Sequence, residues 1–169
     1  MLNSEEGQLN AVYACLGSAA QHGQLFEVAL SDFLLAYNGL LKKSFKLADL
    51  EAVKTSLQKK TMGALLADFK KHLKVSDEAV SASLRDALRK RNFLIHRYFR
   101  DRQTKSESEQ GRLNMLAELV EVGEVLKKAT VLTNAMRIAL CSALEDGERE
   151  GPNSAVLFSI DVDTTDDNG

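Results

Sequence analysis

The sequence predicts an all-α fold, a four- to five-helix up-and-down bundle with a short extended C-terminal tail. Two observations carry the prediction. Apolar residues recur at helical spacing over most of the 169 residues, and the chain holds one Pro, no Trp and 27% charged residues. A chain of this length has room for one core, so the division is a helical bundle over 1–147 and an acidic, extended or disordered tail over 148–169.

The elements follow in order. From about residue 4 to 41, Leu9, Val12, Tyr13, Leu16, Ala19, Phe26, Leu30, Phe33, Leu34 and Tyr37 keep the helical period. This is one long helix or two collinear ones, with Gly23 in "QHGQ" as a C-cap or a weak point. "NGLLKKSFK" reads as a break. Two shorter helices follow, roughly 47–58 and 61–73, the second carrying Leu65, Leu66, Phe69 and Leu73. "VSDEAV" opens the next helix, with Ser76 as N-cap and Asp77 and Glu78 in the first turn, where the helix dipole favours negative charge. It runs to about Arg102. "SESE" offers Ser106 and Glu109 as a capping box for a long last helix through Leu113, Val120, Leu126, Ile138 and Leu144. Beyond it, Val156, Phe158, Ile160 and Val162 alternate with Leu157, Ser159 and Asp161, the period of a lone strand.

Charge is unevenly distributed. The formal net charge is −2, yet Lys42 to Lys105 holds 17 Lys/Arg against 7 Asp/Glu, a net of +10, and the flanks hold 5 against 17, a net of −12. A basic middle suits a polyanion, because clustered cations neutralise phosphates and release counterions; basic and acidic helices packed side by side would give the same tally. The two cysteines, Cys15 and Cys141, are far apart without C-x-x-C spacing, and both are expected to be buried thiols. The N-terminus has no leader pattern and no apolar run approaches the roughly 20 residues that span a bilayer, so a cytoplasmic location without membrane contact is expected.

One stretch carries chemistry. With Val80 at 0° and about 100° per residue, Val80, Leu84, Ala87, Leu88, Leu94, Ile95, Tyr98 and Phe99 form the core arc. Arg91 falls inside that arc, at about 20°. A buried guanidinium stays charged, so it must meet an anion or reach an opening. Asn92 and His96 lie i,i+4 apart on another stripe, with Arg85, Arg89 and Arg100, so the amide could orient the imidazole. Phe93 lies opposite the core arc, which predicts that this side is covered too, by another helix or protomer. The alternatives are ordinary: a surface His, an Arg paired with an acid from another helix, a solvated basic face.

"RNFLIHRYF", Arg91 to Phe99, resembles the signature of the HEPN superfamily. Arg91, Asn92 and His96 fit R-(N/D/H)-x-x-x-H, and Tyr98 extends it to R-x4-H-x-Y, as in HEPN toxins paired with minimal nucleotidyltransferase antitoxins. The resemblance covers about residues 4–145. It implies a dimerising helical bundle that cleaves RNA without a metal or other cofactor and leaves a 2′,3′-cyclic phosphate, as a toxin or in defence against phage. The roles implied are His96 as general base or acid, Arg91 as stabiliser of phosphoryl charge, and Asn92 as positioner. Tyr98 becomes a regulatory target, because the matching Tyr in some such toxins receives AMP. Arg85, Arg89, Arg97, Arg100 and Arg102 are the cations expected to hold RNA. The partners implied are RNA, a second copy supplying a second His and Arg, with Phe93 as a dimer contact, and a nucleotidyltransferase-like antitoxin. The other expectations are a catalytically inactive HEPN-like nucleotide- or RNA-binding or scaffold protein, and a purely structural polar network.

Overall fold

A computed structural model describes residues 4–41, 46–72 and 78–146, and all of the secondary structure among them is helical. The helices are α1 (Glu5–Leu41), α2 (Leu47–Gln58), α3 (Met62–His72), α4 (Glu78–His96), α5 (Tyr98–Arg102) and α6 (Glu109–Asp146), with a 3-10 turn, Gln103–Glu107, before α6. The expected all-α bundle is observed. The expected N-cap Ser76 and the alternating segment 156–162 lie outside the described residues.

The frame is a pair of long helices. α1 and α6, each about 55 Å long at 1.5 Å per residue, run parallel: Gln8 bonds Arg112, Ala19 and His22 meet Gly123, and Gly23 meets Leu126. Small residues at those contacts let the backbones come close. α4 runs antiparallel to both, since Arg91 meets Glu27 while Phe99 meets Tyr13, and Lys90 meets Glu121 while Tyr98 meets Met115. α3 covers the second half of α1, with Phe69 against Phe33 at 4.6 Å between ring centroids. The core between these helices is built from Phe26, Leu30, Phe33, Leu34, Leu65, Phe69, Leu84, Met115, Leu119, Leu126 and Met136.

α1 is continuous through Gly23, so the glycine is neither a cap nor a break. It is buried, and a Cβ there would lie 3.1 Å from Cγ of Arg91. Its role is to let the Arg91 side chain pass.

The helix expected to reach Arg102 is interrupted one residue after His96. Arg97 leaves the helical region (φ −133°, ψ −21°) and α5 restarts at Tyr98. Burial explains the break: Tyr98 is 1% exposed, packs edge-on against Phe93 and Phe99, and donates its hydroxyl to the Met115 carbonyl at 3.1 Å. A buried phenol needs such an acceptor, which α6 supplies.

The corner into α6 is tied from both sides. The α6 cap is Ser108, whose hydroxyl accepts from Gly111 N at 3.1 Å, rather than the predicted Ser106, whose hydroxyl donates to the Gln103 carbonyl in the 3-10 turn. A Cβ at Gly111 would fall 1.9 Å from the Lys105 carbonyl oxygen, so only glycine allows the turn to close on α6. The buried Arg112 bridges the Ser106 carbonyl and Gln8 on α1 at 2.9 and 2.8 Å. Cys15 and Cys141 are free and half-buried rather than fully buried. No helix among the described residues is long and apolar enough to cross a membrane.

Candidate functional site on helix α4

The motif residues leave α4 in two directions. Arg91 points inward over Gly23 to α1, where its guanidinium pairs with Glu27 Oε2 at 3.0 Å; both side chains are mostly shielded from water. This meets the demand that an arginine on an apolar arc finds an anion. Arg91 also donates to Asn92 Oδ1 at 3.3 Å. The amide therefore turns toward the guanidinium, and no hydrogen bond joins it to His96.

His96 points outward. It ends α4, is exposed, and makes no hydrogen bond or ion pair among the described residues. Imidazole and Asn92 share an open groove of about 580 Å³ with Arg89, Lys90, Phe93 and Arg97. The lining thus combines a titratable ring, an amide, an aromatic edge and three cations. Arg91 is outside it.

The anions near these cations are few: Glu121 is exposed, and Asp86 and Asp101 are half-buried. Arg89 meets Asp86 at 2.5 Å, Lys90 meets Glu121 at 2.7 Å, and Arg97 meets Asp101 at 3.0 Å. Arg100 shares Asp101 at 3.4 Å. Ion pairs that still touch water contribute little to stability. Arg89, Arg97 and Arg100 keep most of their side-chain surface in water. Arg85 is exposed but stands toward α3, where its charge adds to burial in lowering the pKa of Lys70.

Two of these residues have partners within the fold. Arg102 is committed to the fold: it makes two bonds to the Glu118 carboxylate at 2.8 and 2.6 Å and lies over the Phe93 ring at 5.1 Å. The hydrogen bond from Arg102 is the main reason the Glu118 carboxyl sits below its ordinary range, despite burial acting the other way. Arg102 is therefore a clamp between α5 and α6. Phe93 is covered by Arg102 and Tyr98 from its own chain, because the break at Arg97 turns α5 back over it, so it needs no second protomer for cover. Tyr98 is the packed aromatic that its place in the core arc predicts. Burial, and then Glu118, pushes its phenol pKa well up, and transfer of AMP to its hydroxyl would require α5 to open.

Lys90 is the groove residue that the sequence pattern did not single out. Its signal was available, since 89, 90, 93, 96 and 97 are i,i+3 and i,i+4 neighbours on one helical surface. No protein-family model, curated protein or solved structure matches the chain.

Proposed function

We propose that the α4 groove binds RNA and that the chain is a metal-independent endoribonuclease of HEPN type, acting as a toxin or in defence against phage. One observation carries the reading: His96 stands exposed, and unpaired among the described residues, beside Asn92 and three cations in a single open groove. Phosphates would compete with Asp86, Glu121 and Asp101 for Arg89, Lys90 and Arg97, and Phe93 offers an aromatic edge to a base.

Cleavage by transesterification deprotonates a 2′-hydroxyl, forms its bond to phosphorus and breaks the bond to the 5′-oxygen, which takes up a proton. It needs a base, an acid and positive charge at the phosphoryl oxygens. His96 serves as one proton-transfer group and the arginines of the groove stabilise the phosphorane. A second copy supplies the other imidazole, as two-fold association allows. Arg91 takes part only after RNA displaces Glu27 from it.

The second reading is a binding or scaffold protein that holds RNA, or a nucleotidyltransferase-like antitoxin, without cleaving. The Arg91–Glu27 pair favours it, because that pair gives the motif arginine a structural task. Incubating RNA with wild type and His96→Ala in EDTA, and identifying the product ends, separates the two. Cyclic-phosphate ends from wild type alone support the nuclease. Binding without product from either supports the second reading, and neither binding nor product removes the nuclease and the RNA-holding form of the second reading.

A further inference from the structure

Helix α6 presents an apolar stripe that the other described residues do not cover. Leu113, Val120, Val131 and Ile138 are 45%, 58%, 63% and 57% exposed. Isolated exposed aliphatics are ordinary. These four belong to one pattern: 113, 117, 120, 124, 127, 131, 134 and 138 step by alternating four and three residues, which is the a/d spacing of a coiled coil over nearly four heptads. The stripe lies on the side of α6 away from the buried Met115, Leu119, Val122, Leu126 and Met136 that face the core. The exposed Tyr13, Leu25 and Val28 of α1 show no such spacing.

The stripe is complementary to itself when reversed. About a centre between Val125 and Leu126, Leu113 falls opposite Ile138, Ala117 opposite Asn134, Val120 opposite Val131, and Glu124 opposite Lys127. We infer that a second copy of this chain covers this face, with the two α6 helices antiparallel across a two-fold axis. A parallel pairing would set Glu124 on Glu124 and Lys127 on Lys127, so charge selects the antiparallel register. Within one chain Glu124 and Lys127 lie only loosely together, at 3.8 Å and largely exposed, and are free to re-pair across the axis.

The pairing does not rest on the RNA reading, since it uses none of Arg91, Asn92 and His96. It does constrain it. α4 packs on the flank of α6, through Lys90 on Glu121 and Arg102 on Glu118, and a two-fold axis normal to the helix pair keeps both α4 grooves on one side of the dimer. Each groove lies beside the first half of its own α6, so the two imidazoles stand on either side of the axis. A strand of RNA can cross both grooves, whereas one centre shared by both imidazoles would need another interface.

Disulfide trapping tests the register in the full chain, without RNA, on a background in which Cys15 and Cys141 are replaced by Ser. Val120→Cys with Val131→Cys should form a covalent dimer under mild oxidation, because the two positions face each other across the axis twice. Val120→Cys alone should not, because its copies are about 16 Å apart along the helix. Sedimentation of chains with native cysteines gives the second readout. Glu124→Lys should weaken the dimer at least about tenfold, as a like-charge contact would, and adding Lys127→Glu should restore it. A wild-type monomer across the concentration series, or a dimer that Val120→Cys alone traps as efficiently as the pair, overturns the inference. RNA cleavage or binding plays no part in either readout.

Discussion

The inward and outward sides of α4 carry the same motif and do opposite work. On the inward side, Arg91 crosses Gly23 and pairs with Glu27, 64 residues away in sequence, so its charge is satisfied by the fold. On the outward side, His96 and Asn92 share an open groove with Arg89, Lys90 and Arg97, whose acid partners are the exposed Glu121 and the half-buried Asp86 and Asp101. A sequence motif is thus divided by geometry into an arginine paired with a distant helix and two residues, Asn92 and His96, that line the groove. Partnership, more than residue type, separates the two sides.

The largest expected effect sharpens this comparison from the structural side. Glu118→Gln leaves Arg102 without its carboxylate between α5 and α6 and should cost about 1–3 kcal/mol, the range for removing a charge-assisted hydrogen bond from a shielded site. Acid checks the same pair. The folded Glu118 carboxyl sits below its ordinary value, so its contribution is complete above the unfolded-state pKa of about 4.3 and is lost as pH falls through the folded value. Thermal melts from neutral pH downward should therefore lose stability faster in wild type than in Glu118→Gln. Parallel curves would remove the clamp.

A smaller effect should separate the two motif residues. Arg91→Ala leaves Glu27 partly shielded and unpaired, and a loss of about 1–2 kcal/mol is expected for a pair that still touches water. His96→Ala should leave the melting temperature unchanged, since the exposed ring has no hydrogen bond or ion pair among the described residues. Equal losses in the two melts would break the comparison and make the whole motif structural.

Most of the fold was legible because periodicity dictates it. The long helices bury Phe26, Phe33, Leu119 and Leu126 on positions that repeat every three or four residues, and the 47–58 helix has the observed bounds. The interruption at Arg97 was not legible. No Gly or Pro marks it, and its cause is the burial of Tyr98 against Phe93 and the Met115 carbonyl, which are tertiary contacts. The α6 cap moved from Ser106 to Ser108 for a related reason: a 3-10 turn precedes the helix, and Gly111 lets that turn close on α6.

At the site, the sequence identified His96 and Asn92 and the unusual position of Arg91. It could not name Glu27 as partner, because the pairing depends on how α1 lies against α4. Gly23 was ambiguous for the same reason. A glycine that makes room for a side chain from a distant helix looks, in sequence, like a weak point in its own helix. Local spacing places Arg102 among the other arginines and says nothing of Glu118 on the following helix.

The central claim is that the outward groove of α4 is a surface for RNA. The most direct test is a titration of single-stranded RNA, by fluorescence anisotropy over a series of salt concentrations, into wild type and Arg89→Ala/Arg97→Ala. Wild type should bind with a steep salt dependence, and the double variant should bind more weakly, with a slope smaller by about 0.7 for each phosphate it no longer neutralises. Unchanged affinity and slope in the variant, or no binding by wild type at low salt, would contradict it.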